Sequence, residues 1–201
     1  MGSWVTTATG CVFDYDLLLA GKPQRFPVTL RDLAIPHSRS PRWMGVVPVK
    51  RAEHLVLTSR RAGELASSAN LDERAAAIFG LLHDSMEAFQ ADLPRPIKRR
   101  PGMHEYNQIE TMGLLYICDS FGLGRSSWDP KMQAIVDRAD AEMLAVEIRD
   151  LVPPLPDGYD YGLEWSAPAG YSVKTPATEE ESYEMFVREW HALGLPTVGR
   201  A

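Results

Sequence analysis

The sequence predicts an all-α protein, a helical bundle opened by one short strand or hairpin. Three observations carry that expectation. Ala75 to Leu82 contain no charged residue, so a helix there is apolar around its whole circumference and belongs in the middle of a bundle. Apolar residues recur at helical spacing in further stretches, over 49–67, 104–121, 130–146 and 178–193. Strand-like composition is confined to the first 27 residues.

In order along the chain, WVTTATGCVFDYD (4–16) reads as the strand or hairpin, with Gly10 at its turn. Thr29 caps a short helix over Leu30 to Ile35, which Pro36 stops. HSRSPRWMGVVP (37–48) is a loop by its Ser, Pro and Gly content. The next helix, from Val49 to about Ser67, carries Ala52, Leu55, Val56, Ala62 and Ala66 near one face, with His54 inside it. Asn70 caps the central helix, which runs past His83 toward Phe89. Three prolines keep 92–102 from staying helical. A helix then fits 104–121, and Asp129-Pro130 starts another whose stripe is Met132, Ile135, Val136, Ala139, Met143 and Val146. Asp140 falls at the edge of that stripe, and Asp137 faces solvent. Residues 151–176 lack a period and read as a lid or a wrap over the surface. Thr178 and Glu181 form a capping box for a last helix, with Tyr183, Phe186, Val187, Trp190 and Leu193 on its apolar face.

The 201 residues, 45% hydrophobic and 24% charged, fit one domain over 1–201, ending in a C-terminal loop and helix over 148–201. A net charge of −6 argues against nucleic-acid polymers and anionic membranes as partners. The basic clusters Lys50-Arg51, Arg60-Arg61 and Lys98-Arg99-Arg100 read mostly as solvated surface, each able to hold a small anion. Cys11 and Cys118 give neither a disulfide framework nor a metal-type spacing, so a reducing cytoplasm is the expected location. No apolar run approaches the length of a membrane span. The match of Met1-Gly2-Ser3 and Thr6 to a myristoylation pattern reads as chance.

The chemistry concentrates in LLHDSMEAFQADLPRPIK (81–98). An adjacent His83-Asp84 at the end of an apolar helix is costly unless something compensates the carboxylate, and a divalent cation is the simplest compensation. Four residues from three helices can converge on one ion: His54, His83, Asp84 and Asp140. Two imidazoles and two carboxylates with room for water suit Mn²⁺, Fe²⁺, Co²⁺, Ni²⁺ or Zn²⁺, with Mg²⁺ left open, better than a closed structural zinc site. A lone helical histidine is more often a hydrogen-bonded core or surface residue, and His37, His104 and His191 keep that reading. Glu87 alone would be a solvated helix residue; one turn beyond the His-Asp pair it reads as a general base.

Arg42-Trp43, the RAEH ending at His54, the 81–98 stretch and RADAEM around Asp140 together resemble the HD-domain phosphohydrolases. Within them the likeness is to the group of bacterial 5′-deoxynucleotidases and phage dATP triphosphohydrolases. It covers roughly 28–147, and TGCVFDYD is similar to the start of phage members. The resemblance implies an HD-type helical bundle with His54, His83, Asp84 and Asp140 as metal ligands and Glu87 and Asp92 as the further acidic residues of the active site. It implies that Arg42 contacts phosphate and that Trp43 packs on the sugar and disfavours a 2′-hydroxyl. Lys98 is a candidate for stabilising phosphoryl charge. The family usually has Ser after the first histidine; Leu55 stands here, which removes one possible hydrogen bond behind the ligand. The expected reaction is attack by activated water on the α-phosphorus of a 2′-deoxynucleotide, leaning to dNTPs with dATP first, with dNMPs as the alternative. A non-catalytic nucleotide sensor and an HD phosphodiesterase on cyclic or dinucleotide substrates are the rivals. By resemblance the protein is a homo-oligomer.

Overall fold

The computed structural model describes residues 2–124 and 130–200. Strands β1 (Trp4–Thr6) and β2 (Val12–Asp14) pair antiparallel with Val5 opposite Phe13. Among the described residues eight α-helices follow: α1 (Tyr15–Leu19), α2 (Leu30–Arg39), α3 (Arg51–Ser68), α4 (Glu73–Leu82), α5 (Arg95–Lys98), α6 (His104–Ser120), α7 (Pro130–Leu151) and α8 (Glu179–Ala192). Two 3-10 turns, Trp43–Gly45 and Ser85–Ala88, interrupt the connections. The all-α expectation with a short N-terminal hairpin holds. Among the described residues no helix is long and apolar enough to cross a membrane.

The uncharged stretch is the centre of the core, since Ala76 through Leu82 are all buried in α4. Helix α3 lies against it so closely that a Cβ on Gly80 would stand 2.9 Å from both Ser59 Cα and the Thr58 carbonyl oxygen. Ser59 Oγ adds a bond across the pair, to the Ala77 carbonyl at 2.7 Å. Helices α7 and α8 cover the other sides of α3. A smaller cluster of Val47, Val49, Met143, Val146 and Val173 packs where the 41–50 loop meets α7.

Four local expectations change. Helix α2 runs through Pro36 to Arg39, because His37 and Ser38 in the added turn are buried, and tertiary burial outweighs one lost backbone bond. Asn70 takes a left-handed φ of 55° after α3, and the cap of α4 is Asp72, whose carboxylate accepts from the Ala75 N–H at 2.9 Å. Helix α4 ends at Leu82, and 85–88 is a 3-10 turn. The proline-rich stretch makes one turn of helix, α5, with Pro94 at its cap and Pro96 in its first turn, where a missing N–H costs nothing. Asp129, expected to start α7, lies outside the described residues.

The long segment between α7 and α8 is tied down in its second half. Val173 is buried, and Asp150 accepts from the Val173 N–H and the Ser172 hydroxyl at 2.9 and 2.8 Å. The Ala177 N–H reaches Glu53 at 3.1 Å, and the expected Thr178–Glu181 box starts α8. This segment is a wrap whose middle passes Trp43, with Tyr161 edge-on to it at 5.7 Å.

Candidate metal centre

His54 sits in the second turn of α3 and is fully buried. His83 follows the last residue of α4, and its Nδ1–H donates to the Gly80 carbonyl at 2.8 Å, capping the helix end. Its Nε2 is buried, faces the Asp84 carboxylate at 3.3 Å and makes no hydrogen bond of good geometry. Asp84 leaves the helix with φ −107° and turns its carboxylate toward His83. Asp140 comes from α7.

These side chains meet. His54 Nε2 lies 3.0 Å from Asp140 Oδ1, His83 Nε2 lies 3.7 Å from the same oxygen, and His83 Nε2 is 3.3 Å from Asp84 Oδ2. Ligand atoms of His54, His83 and Asp84 all fall within 4.8 Å of one another. Atoms about 2.1 Å from a shared cation lie roughly 3.0–4.2 Å apart in octahedral or tetrahedral arrangements, a range that holds the three separations above; the tight group itself is His54, His83 and Asp84, with Asp140 against both imidazoles. The donor set fits too: two imidazoles with Nδ1 already occupied by an acceptor, and two carboxylates.

Electrostatics point the same way. Burial alone would push His83 down, but the Asp84 and Asp140 carboxylates and the Gly80 carbonyl outweigh it and raise the imidazole to about 9. Asp84 and Asp140 are held well below the usual carboxylate range against their own burial, chiefly by the two histidines.

A second group of charges adjoins the first. Glu87, buried, forms an ion pair with Arg51 at 2.5 Å and lies 3.5 Å from Lys98 Nζ. Burial first, then Asp84 and Asp92, push Glu87 up to about 9 despite Arg51. Asp92 is more exposed, with Lys98 at 3.4 Å and Arg51 at 3.7 Å. Lys98 makes its closest contact with Glu110, at 2.6 Å. Arg51 is therefore a buried partner of the acidic pair and not the surface charge its place beside Lys50 implied. The Glu87 position is reached through the 3-10 turn, with its N–H on the Asp84 carbonyl at 3.0 Å, not through a continuous helix.

Arg42 and Trp43 are held differently from a free substrate arm. The Arg42 Nε–H and Trp43 Nε1–H both donate to Glu147, at 2.9 and 2.7 Å. Trp43 and Met44 have left-handed φ values of 54° and 53°, a conformation costing about 1–3 kcal/mol each in non-glycine residues. Glu147 was missed at the level of sequence, and so was Arg95, which donates to Asp140 Oδ2 at 2.7 Å. The signal for Glu147 was there: it lies seven residues after Asp140, on the same side of α7 and adjacent to Val146 in the apolar stripe. His37 differs from its expected reading. It is buried against Phe186 with neither nitrogen hydrogen-bonded, and burial, with Arg51 nearby, pushes it down to about 3.

Two clefts flank the centre. One of about 470 Å³ has Arg51, Glu87 and Asp92 in its wall, opposite Met44 and Phe89. The other, about 770 Å³, lies between α7 and the wrap and is lined by Arg95, Lys131, Arg138 and Trp165.

Fold and site together describe a mainly helical protein with a short N-terminal hairpin, in which His54, His83 and Asp84 lie close enough to be candidates for holding a metal ion. No family model matches the sequence. The uncharacterized protein YfdR of Escherichia coli (strain K12) is 31% identical over 198 residues, which span 95% of this chain and 96% of that protein. The chain belongs to the YfdR family.

Proposed function

We propose that this protein is a metal-dependent phosphohydrolase of 2′-deoxynucleotides, of the HD-domain type its motifs resemble. The observation that carries the reading is the meeting of two imidazole Nε2 atoms with Asp84 and Asp140, with buried Glu87 three residues beyond Asp84 in the next turn. His54, His83, Asp84 and Asp140 would hold the ion. Such an ion supplies Lewis acidity and lowers the pKa of water it holds.

The remaining roles belong to the chain. Glu87 takes the proton of the water that attacks the α-phosphorus, which requires the carboxylate form; Arg51 and Lys98 favour that form. The bond from phosphorus to the 5′-oxygen breaks, and the proton taken up by Glu87 passes through Asp92, its neighbour at the cleft wall, to the leaving oxygen. Arg42 and Lys98 stabilise the charge that builds on the phosphoryl oxygens. Trp43 packs against the sugar. The deoxynucleoside leaves with the rest of the phosphate chain as the second product.

A deoxynucleoside triphosphate, dATP first, is the preferred substrate. The cleft beyond Arg95, whose wall includes Arg138 together with Asp137 and Glu164, has room for a chain longer than one phosphate. A cytoplasmic location accords with two free thiols, and the reading includes a homo-oligomer.

The test is a panel of dNMPs, dNTPs and their ribonucleotide counterparts with Co²⁺ or Mn²⁺, resolved by chromatography. Release of deoxynucleoside and triphosphate is the expected outcome. Release from dNMPs alone moves the substrate to monophosphates. Equal rates on ribonucleotides refute the role of Trp43, and no turnover of any nucleotide refutes the proposal.

A further inference from the structure

We propose that Glu147 is a positioning residue that fixes His54 as a cation ligand through one carboxylate oxygen and pins the Arg42–Trp43 turn through the other. The inference rests on the metal-centre reading above.

Glu147 is 1% exposed. A carboxylate so buried must be fully hydrogen-bonded, and its three donors come from two parts of the chain, His54 on α3 and the adjacent Arg42 and Trp43. Oε1 accepts from His54 Nδ1–H at 2.8 Å, Oε2 accepts from Trp43 Nε1–H at 2.7 Å, and Arg42 Nε–H lies 2.9 Å from both oxygens. If Glu147 served only as the counter-charge of Arg42, neither the imidazole nor the indole would need to reach it.

Both ring nitrogens of His54 face a carboxylate, Nδ1 that of Glu147 at 2.8 Å and Nε2 that of Asp140 at 3.0 Å. A cation between Nε2 and Asp140 would leave no room for a proton on Nε2, and Glu147 is then the acceptor that keeps the proton on Nδ1 and holds the ring plane.

The second oxygen acts on the turn. Trp43 and Met44 both hold left-handed backbone angles that an open loop would relax. The Arg42 N–H on the Val49 carbonyl closes the base of the loop at 2.9 Å, and the two side-chain bonds to Glu147 hold its tip against α7. One buried side chain thus links the ion's ligand to the residues assigned to phosphate and sugar.

The experiment uses the full chain and Co²⁺ followed by its visible absorption, with Glu147→Gln compared to wild type and circular dichroism confirming a folded variant. The amide can accept from only one side of the site. Co²⁺ binding is expected to weaken about 10- to 100-fold, with an altered ligand-field spectrum. A folded variant that binds Co²⁺ as wild type does overturns the inference and leaves the metal-centre reading intact. Wild type that binds no Co²⁺ overturns both. A second measurement needs no variant: long-range ¹H–¹⁵N correlation spectra of the Zn²⁺-supplemented wild type report the His54 tautomer. A proton on Nδ1 supports the role of Glu147 even if the variant does not fold, and a proton on Nε2 refutes it.

Discussion

Gly80→Ala tests whether the close approach of α3 and α4 sets the geometry of the centre. The added Cβ would stand 2.9 Å from Ser59 Cα and from the Thr58 carbonyl oxygen, and 3.1 Å from Ala62 Cβ. Non-bonded carbons prefer about 3.5–4.0 Å, so the helices must part by roughly half to one ångström. Neither backbone neighbour can rotate away. Such overpacking costs about 1–3 kcal/mol, and the better helix propensity of alanine returns about 0.8–1.0 kcal/mol. The net loss is about 0–2 kcal/mol, a Tm lowered by no more than about 8 °C for a chain of this size. The effect on the centre is larger. Thr58 lies one turn after His54, and the Gly80 carbonyl holds His83 Nδ1, so the wedge acts on both imidazoles at once. A misplacement of about 1 Å costs on the order of 10²-fold in rate. Thermal melts, Co²⁺ titration and nucleotide hydrolysis read the three quantities. The expected result is a protein nearly as stable as wild type with a weakened centre. A Tm raised by about 2–4 °C, the propensity gain alone, with unchanged Co²⁺ affinity would refute the packing argument.

Further outcomes follow from other sites. Glu87→Gln should lower turnover about 10²- to 10⁴-fold and keep Co²⁺ binding, whereas Asp84→Ala should lose both; metal analysis of the purified variants separates the two, and full activity in the first would remove Glu87 as base. Asp32 accepts from the Thr9 N–H and hydroxyl and from the Thr29 N–H and hydroxyl; burial opposes its charge, but these bonds prevail and lower it. Its contribution is therefore present above its unfolded value of about 3.9 and is lost as pH falls through the lower folded value. Asp32→Asn should cost about 0.5–2 kcal/mol at pH 7 and progressively less in strong acid, read from urea midpoints; a pH-independent difference would contradict the linkage. Burial pushes the Cys118 thiol up to about 12, so at pH 8 a disulfide reagent should modify half-buried Cys11 first and reach Cys118 only at the rate of unfolding.

What the sequence disclosed about the fold was whatever depends on periodicity. Helices α3, α4, α6, α7 and α8 were legible because each buries a stripe or a whole surface, and the Thr178–Glu181 box was legible because its bonds are local. The misread points were decided by tertiary contacts. Pro36 reads as a stop, yet the turn beyond it persists because His37 and Ser38 have a core to enter. The helix toward Phe89 had no local reason to break. It breaks because His83 turns its Nδ1 back onto the Gly80 carbonyl, and that same bond aims Nε2 at the neighbouring ligands.

The charges of the site were legible singly but not as a set. Motif reading found Asp84, Glu87, Asp92 and Asp140, while Glu110 and Glu147 join only through contacts spanning different helices. Among the described residues, six carboxylates lie in two adjacent ion-paired groups: Asp84, Asp140 and Glu147 in one, and Glu87, Asp92 and Glu110 in the other. Arg42 and Arg95 answer the first, Arg51 and Lys98 the second. With neutral imidazoles each group carries one negative charge in excess, and the nearness of Asp84 to Glu87 couples the two. Two groups answer that excess by holding protons tightly, His83 and Glu87, both raised to about 9. A divalent ion brings the same two charges, and its entry would free the His83 lone pair as a ligand and the Glu87 carboxylate as a base. The fit to a cation proposed above thus draws on both groups of charges together, which is why no single motif residue could express it.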